Sequence, residues 1–120
     1  MKSNSEAVVL RIYINSIDNS EQKNLYEFIV FEAKRFGIAG ATVLRGIEGY
    51  EIDLNQHHTG ILHKMSDMPV VVEIIDDEEK ISSFCEAMKP VLSPLLDECF
   101  ATLAKTRILL CKTGNVKTHQ

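Results

Sequence analysis

The chain has no tryptophan, only three prolines and only three cysteines among its 120 residues, and each scarcity narrows what it can be. Cys85, Cys99 and Cys111 are an odd number with no C-x-x-C spacing, which speaks against a disulfide framework or a paired-thiol metal site. Each stands among apolar neighbours, so reduced thiols serving as small core side chains are expected. No apolar run reaches the roughly 18 residues that a membrane span needs, so the chain is not membrane-embedded. Met1–Glu6 leads straight into a strand without an apolar signal segment, so a cytoplasmic location is expected. Lys and Arg (13) are outnumbered by Asp and Glu (17), a net charge of −4, which argues against a nucleic-acid partner. There is no G-x-S-x-G elbow, P-loop or H-E-x-x-H pair, so the chain is read as a non-enzyme.

What is present fits a single domain spanning 1–120, with 45% hydrophobic and 25% charged residues. Residues 7–15 are a strand with Val8, Leu10, Ile12 and Ile14 on one face and Val9, Arg11 and Tyr13 on the other. Ser20 is the expected cap of a helix in which Leu25, Phe28, Ile29, Ala33 and Phe36 recur at helical spacing, and Gly37 stands at its C-terminal stop. Residues 41–47 form a second strand, broken by Gly46 and Gly49. A polar stretch, 49–68, reads as a long flexible loop. Residues 69–75 form a third strand, with Pro69 where a missing N–H is tolerated. Asp76 or Asp77 caps a second helix carrying Ile81, Phe84, Cys85 and Met88, and Pro90 should end or kink it. Residues 100–103 and 107–111 read as a short strand and a final strand, and the tail at 113–120 is polar, leaving a core of about 7–112.

The order strand–helix–strand–loop–strand–helix–strand predicts an α+β, ferredoxin-like βαβ–βαβ fold: a four-stranded antiparallel sheet with both helices on one face. The opposite face would show Val9, Arg11, Tyr13, Val71, Glu73 and Ile75. That surface is too apolar to be left to water, so these residues are the expected interface between copies, with Arg11 and Glu73 pairing within or between subunits.

Arg45-Gly46-Ile47-Glu48-Gly49 is the leading ligand-site candidate: glycines admit close backbone approach, and arginine offers a planar fork for phosphate or carboxylate. Arg107, Lys105 and Lys112 could add positive charge from a neighbouring subunit. His57, His58 and His63, with Glu51 and Asp53, are candidate divalent-metal ligands, although H-H-x4-H matches no recognised zinc spacing. Asp76–Glu79 is an acidic helix start favoured by the dipole.

The stretch Ala39–Tyr50 (A-G-A-T-V-L-R-G-I-E-G-Y) resembles the hallmark of an uncharacterised PII-like domain family of bacteria and archaea. Leu10–Ile14, Leu25–Glu27 and Asp67–Ile74 resemble its opening strand, first helix and third strand, and the likeness spans 8–110. It implies a homotrimer related to the nitrogen regulatory PII and CutA proteins, with Tyr50 joining Arg45, Gly46, Glu48 and Gly49 at a ligand site. PII proteins bind adenine nucleotides between subunits and carry a mobile loop where 49–68 lies, which implies a nucleotide ligand and a partner protein engaged through that loop. The segment Lys89–Cys99 departs from a PII, with two prolines, one lysine and no glycine where phosphate-holding glycines and cations belong. Three readings stand: a signalling protein that needs no cofactor and takes a small ligand, a CutA-like metal-binding trimer using the histidines, and an enzyme whose intersubunit site uses Arg45 or Glu48.

Overall fold

A computed structural model describes residues 1–14, 19–47, 50–53, 58–61, 68–95 and 99–111. Along the chain run β1 (Ser5–Ile14), α1 (Asn19–Arg35), β2 (Gly40–Arg45), β3 (Tyr50–Asp53), β4 (His58–Ile61), β5 (Val70–Asp76), α2 (Glu78–Leu92) and β6 (Cys99–Ile108). The main sheet has the order β2-β5-β1-β6, all neighbours antiparallel. This is the expected ferredoxin-like arrangement, with the two central strands contributed by β1 and β5.

Period-2 alternation decides which side of the sheet is the core. Leu10, Ile12, Ile14, Val70, Val72 and Ile74 are all buried, and they meet Ile29 and Ala33 of α1 and Ile81, Phe84 and Met88 of α2. Helix α1 packs over β2 and β5, and α2 over β1 and β5. Strand β6 is left largely uncovered on the helix side, and nearly all of its residues after Cys99 are exposed.

The helix ends follow from specific side chains. Gly37 sits at φ +74°; its N–H bonds the Lys34 carbonyl, and that of Ile38 bonds the Ala33 carbonyl, the paired closure of a Schellman stop. Asp77 caps α2, its carboxylate accepting the Lys80 N–H at 2.9 Å. The buried Asp76 accepts the N–H groups of Ala39 (2.9 Å) and Asp77 (2.7 Å), joining the α1–β2 turn to the start of α2. A β-carbon at residue 37 would have ordinary room, 3.5 Å from Lys80 Nζ, so backbone strain alone sets its cost. Gly37→Ala should therefore lower unfolding free energy by about 1 kcal/mol, read as a lower midpoint in thermal or urea melts.

Four expectations are corrected. Helix α1 already includes Asn19, so Ser20 is not its cap. Part of the 49–68 stretch is ordered as the antiparallel hairpin β3–β4, with Tyr50 opposite Ile61 and Asp53 opposite His58. Backbone pairing holds such a ladder without any apolar period. Pro90 does not end α2, which runs on to Leu92; so near the terminus proline removes one bond, to the carbonyl of Glu86, whose side chain is exposed. In place of two strands at 100–103 and 107–111 there is one of ten residues, Cys99–Ile108, because β6 pairs with the whole of β1 from Ser5 to Ile14, and residues 109–111 lie beyond it.

Candidate functional site

Strands β1 and β2 end, and β5 begins, at the same end of the sheet, and the first turn of α1 lies beside them. Gln22 ties these pieces together. It is 3% exposed, and its Nε2 donates to the carbonyls of Ile14 (3.4 Å) and Met68 (3.3 Å). Arg45, the last residue of β2, donates through Nη1 to Gln22 Oε1 (3.1 Å) and to the Met68 carbonyl (3.1 Å). The Gly46 N–H adds a bond to the Pro69 carbonyl at 3.1 Å. A guanidinium is thus held in position, while its residue stays exposed, at the base of the excursion that leaves β2 and returns at β5.

A β-carbon at Gly46 would meet Met68 Cε at 3.4 Å and the Pro69 carbonyl at 3.7 Å, ordinary contacts. The fold alone does not demand glycine there. Arg45, Gly46 and the start of β3 at Tyr50 share this corner in sequence; Glu48 and Gly49 lie outside the described residues. Gln22 was not among the candidates from sequence. Its signal was there, because 22, 25, 29 and 33 fall on the core stripe of α1, and a glutamine in that stripe needs polar partners.

The outer sheet face is ordered in rows set by the strand register. Leu44, Val71, Tyr13 and Phe100 make one row; Thr42, Glu73, Arg11 and Thr102 the next; Gly40, Ile75, Val9 and Ala104 a third. Arg11 and Glu73 pair within the chain at 2.9 Å, and Tyr13 stacks on Phe100 with ring centroids 4.6 Å apart. Val9 is already buried by its neighbours, Tyr13, Val71 and Ile75 are half-buried, and Leu44 (49%) and Phe100 (56%) are the most open apolar members.

Between α2 and β6 lies a groove of about 460 Å³, lined mainly by apolar residues including Leu10, Ile12, Cys85, Met88, Leu92 and Leu103. Burial pushes the Cys85 thiol up, the Lys89 charge opposes this and Glu86 adds to it, so at neutral pH it is a protonated, poor nucleophile. Cys99 is buried in the core, and Cys111 is half-buried. Lys105 and Arg107 are exposed on β6, and Lys112 lies outside the described residues. His58 opens β4, whereas His57 and His63 lie outside the described residues. Among the described residues no three His, Cys, Asp or Glu side chains gather as a metal site, and no helix is long and apolar enough to cross a membrane.

Residues 7–108 match the family model described as DUF190, Uncharacterized ACR. A UPF0166 protein of Aquifex aeolicus is 41% identical over 81 residues, covering 68% of this chain and 77% of that one. Among solved structures, CPII of Thiomonas intermedia K12, a nitrogen regulatory PII-like protein bound to ADP and bicarbonate, superposes with a TM-score of 0.63 at 16% identity, over 90% of this chain and 93% of CPII. SnoaB of Streptomyces nogalater, a cofactor-independent oxygenase, superposes with a TM-score of 0.55 at 11% identity, over 93% and 97%. At these identities both establish a shared fold, and one fold carries both regulation and catalysis.

Proposed function

Because the chain belongs to the DUF190 family and has the PII-like fold, we propose that it is a regulatory protein that assembles as a trimer through its outer sheet face and takes a small anionic ligand beside Arg45 and Gly46. The ligand site extends to Glu48, Gly49 and Tyr50 and lies in the cleft between subunits, and the Tyr50–Ile61 hairpin presents the surface for a partner protein. The observation that carries this reading is the tie from Arg45 to Gln22 and the Met68 carbonyl. It holds a cation at a fixed place at the base of the excursion between β2 and β5. The planar fork of a guanidinium matches the paired oxygens of phosphate or carboxylate, so an anion is the ligand class that this position suits. The ADP and bicarbonate bound by CPII support adenine nucleotides as the first class to test.

Titration calorimetry with ATP, ADP, AMP and cyclic AMP should detect binding of at least one, weakened tenfold or more in Arg45→Ala. Gly46→Ala should leave the thermal melt nearly unchanged, since its new carbon meets only ordinary contacts, yet reduce affinity by obstructing close approach of the ligand. Silence of the native chain towards all four nucleotides would defeat the nucleotide reading.

A further inference from the structure

The core stripe of α1 holds Leu25, Ile29 and Ala33, and the position that continues it towards the start of the helix is occupied by Gln22. An amide that is 3% exposed has lost its water, and that costs free energy unless its polar atoms find partners. Among the partners of Gln22, the carbonyls of Ile14 and Met68 face Nε2, and the Arg45 guanidinium faces Oε1. Carbonyls only accept and a guanidinium only donates, so the amide fits one way round. Turned over, its oxygen would meet two acceptors and its nitrogen a donor.

The acceptor offered to Arg45 therefore points where the end of β1 and the entry to β5 make it point. Nη1 of Arg45 carries two hydrogens, and its bonds to Gln22 Oε1 and to the Met68 carbonyl are both 3.1 Å. Two bonds from one nitrogen of a planar group set its plane as well as its place. A long side chain that must be ordered when a ligand arrives subtracts its lost freedom from the affinity, and one that is already ordered does not.

Met68 links the same unit to the sheet. Its side chain is 1% exposed and lies close to Gly46, where an added β-carbon would stand 3.4 Å from Met68 Cε. The Gly46 N–H bonds the next carbonyl, that of Pro69. The exit from β2 and the entry to β5 are thus joined to each other, and Gln22 joins both to α1.

We propose that Gln22 is a positioning residue: its amide orients the Arg45 guanidinium for the ligand and ties both arms of the excursion between β2 and β5 to the first turn of α1. This rests on the reading of Arg45 as the ligand's cation. Gln22 itself needs no contact with the ligand.

Gln22→Met keeps the length of the side chain and suits the apolar stripe, while removing the acceptor and both donors. Calorimetry with whichever nucleotide the native chain binds should show affinity weakened about fivefold, with almost no further loss when Gln22→Met is added to Arg45→Ala. Gln22→Asn, which keeps the amide but draws it back by one carbon, serves in the same cycle should the methionine variant not fold. A lower thermal melt with unchanged affinity, or an equal loss of affinity in both backgrounds, would mark a merely structural glutamine and overturn the proposal. A measurement without ligand separates this role from the nucleotide reading. Nitrogen-15 spectra of the ligand-free chain, with the Arg45 side-chain signals assigned by their loss in Arg45→Lys, should show resolved, slowly rotating Nη groups that collapse to an average in Gln22→Met. If that collapse is seen while the native chain binds none of the nucleotides, the nucleotide reading falls and the positioning role stands. Averaged signals in the native chain, or signals that Gln22→Met leaves unchanged, would overturn the positioning role whatever the chain binds.

Discussion

Alanine at Phe84 should lower the unfolding free energy by about 3–5 kcal/mol, a large share of the roughly 5–15 kcal/mol that holds a domain of this size folded. Phe84 is fully buried in the cluster of Leu10, Ile12, Val72 and Ile81, at the place where α2 meets the sheet. Its ring meets Phe36 edge-on, with centroids 5.3 Å apart and planes at 86°, and Phe36 itself is 38% exposed. Deleting the Phe84 ring therefore does three things. It returns apolar transfer energy, opens a void between helix and sheet, and strips the inner support from an aromatic at the surface. Phe84→Leu keeps most of the volume and should cost no more than about 1.5 kcal/mol. Urea unfolding at one fixed protein concentration checks this, because the proposed assembly would add a concentration-dependent contribution. The midpoint should fall with the slope unchanged. An alanine variant as stable as the native chain would mean that α2 is not seated on the sheet through this residue.

Val71→Lys should convert the assembly to single chains while leaving the far-ultraviolet spectrum unchanged. Val71 lies on the outer face of a central strand, opposite Tyr13 and beside Leu44, in the apolar row that ends at Phe100. Within one chain a lysine there is tolerated, since the position is half-buried and Glu73 follows two residues on along the same face. Between copies it is not. A trimer would gather symmetry-related cations in one covered surface, a like-charge conflict worth several kcal/mol. At about 1.4 kcal/mol per tenfold, that raises the dissociation constant at least a hundredfold. Val71→Leu, apolar and slightly larger, should keep the assembly.

Much of the fold was legible because the core-facing residues of its central strands recur at every second position. Val8, Leu10, Ile12 and Ile14 announce one side of β1, and Val70, Val72 and Ile74 the same side of β5; all are buried. Gly37 and Asp77 marked helix ends through local chemistry, a left-handed turn and a side-chain cap, so no tertiary knowledge was needed. Strand β6 was read in two pieces because an edge strand exposed on both sides has no reason to alternate, and Lys105 and Thr106 interrupt its apolar run. The β3–β4 hairpin was invisible for a related reason: its sequence is polar, and what orders it is a backbone ladder. At the candidate site the sequence pointed to Arg45 and Gly46 but not to what holds them. Gln22 and Met68 lie 23 residues away on either side, and only the meeting of α1 with the sheet brings both to one guanidinium. The rows on the outer face were half legible. β1 and β5 supplied their centres from alternation alone, whereas Leu44 and Phe100 join them only through the register of the edges.

Whether this domain lives alone or shares a surface is decided by its mass in solution. Sedimentation equilibrium of the native chain over a wide concentration range should give three times the 13.5 kDa of one chain. A single-chain mass at the highest concentration would contradict the account, for Leu44, Val71, Tyr13 and Phe100 would then face water and no cleft between subunits would exist.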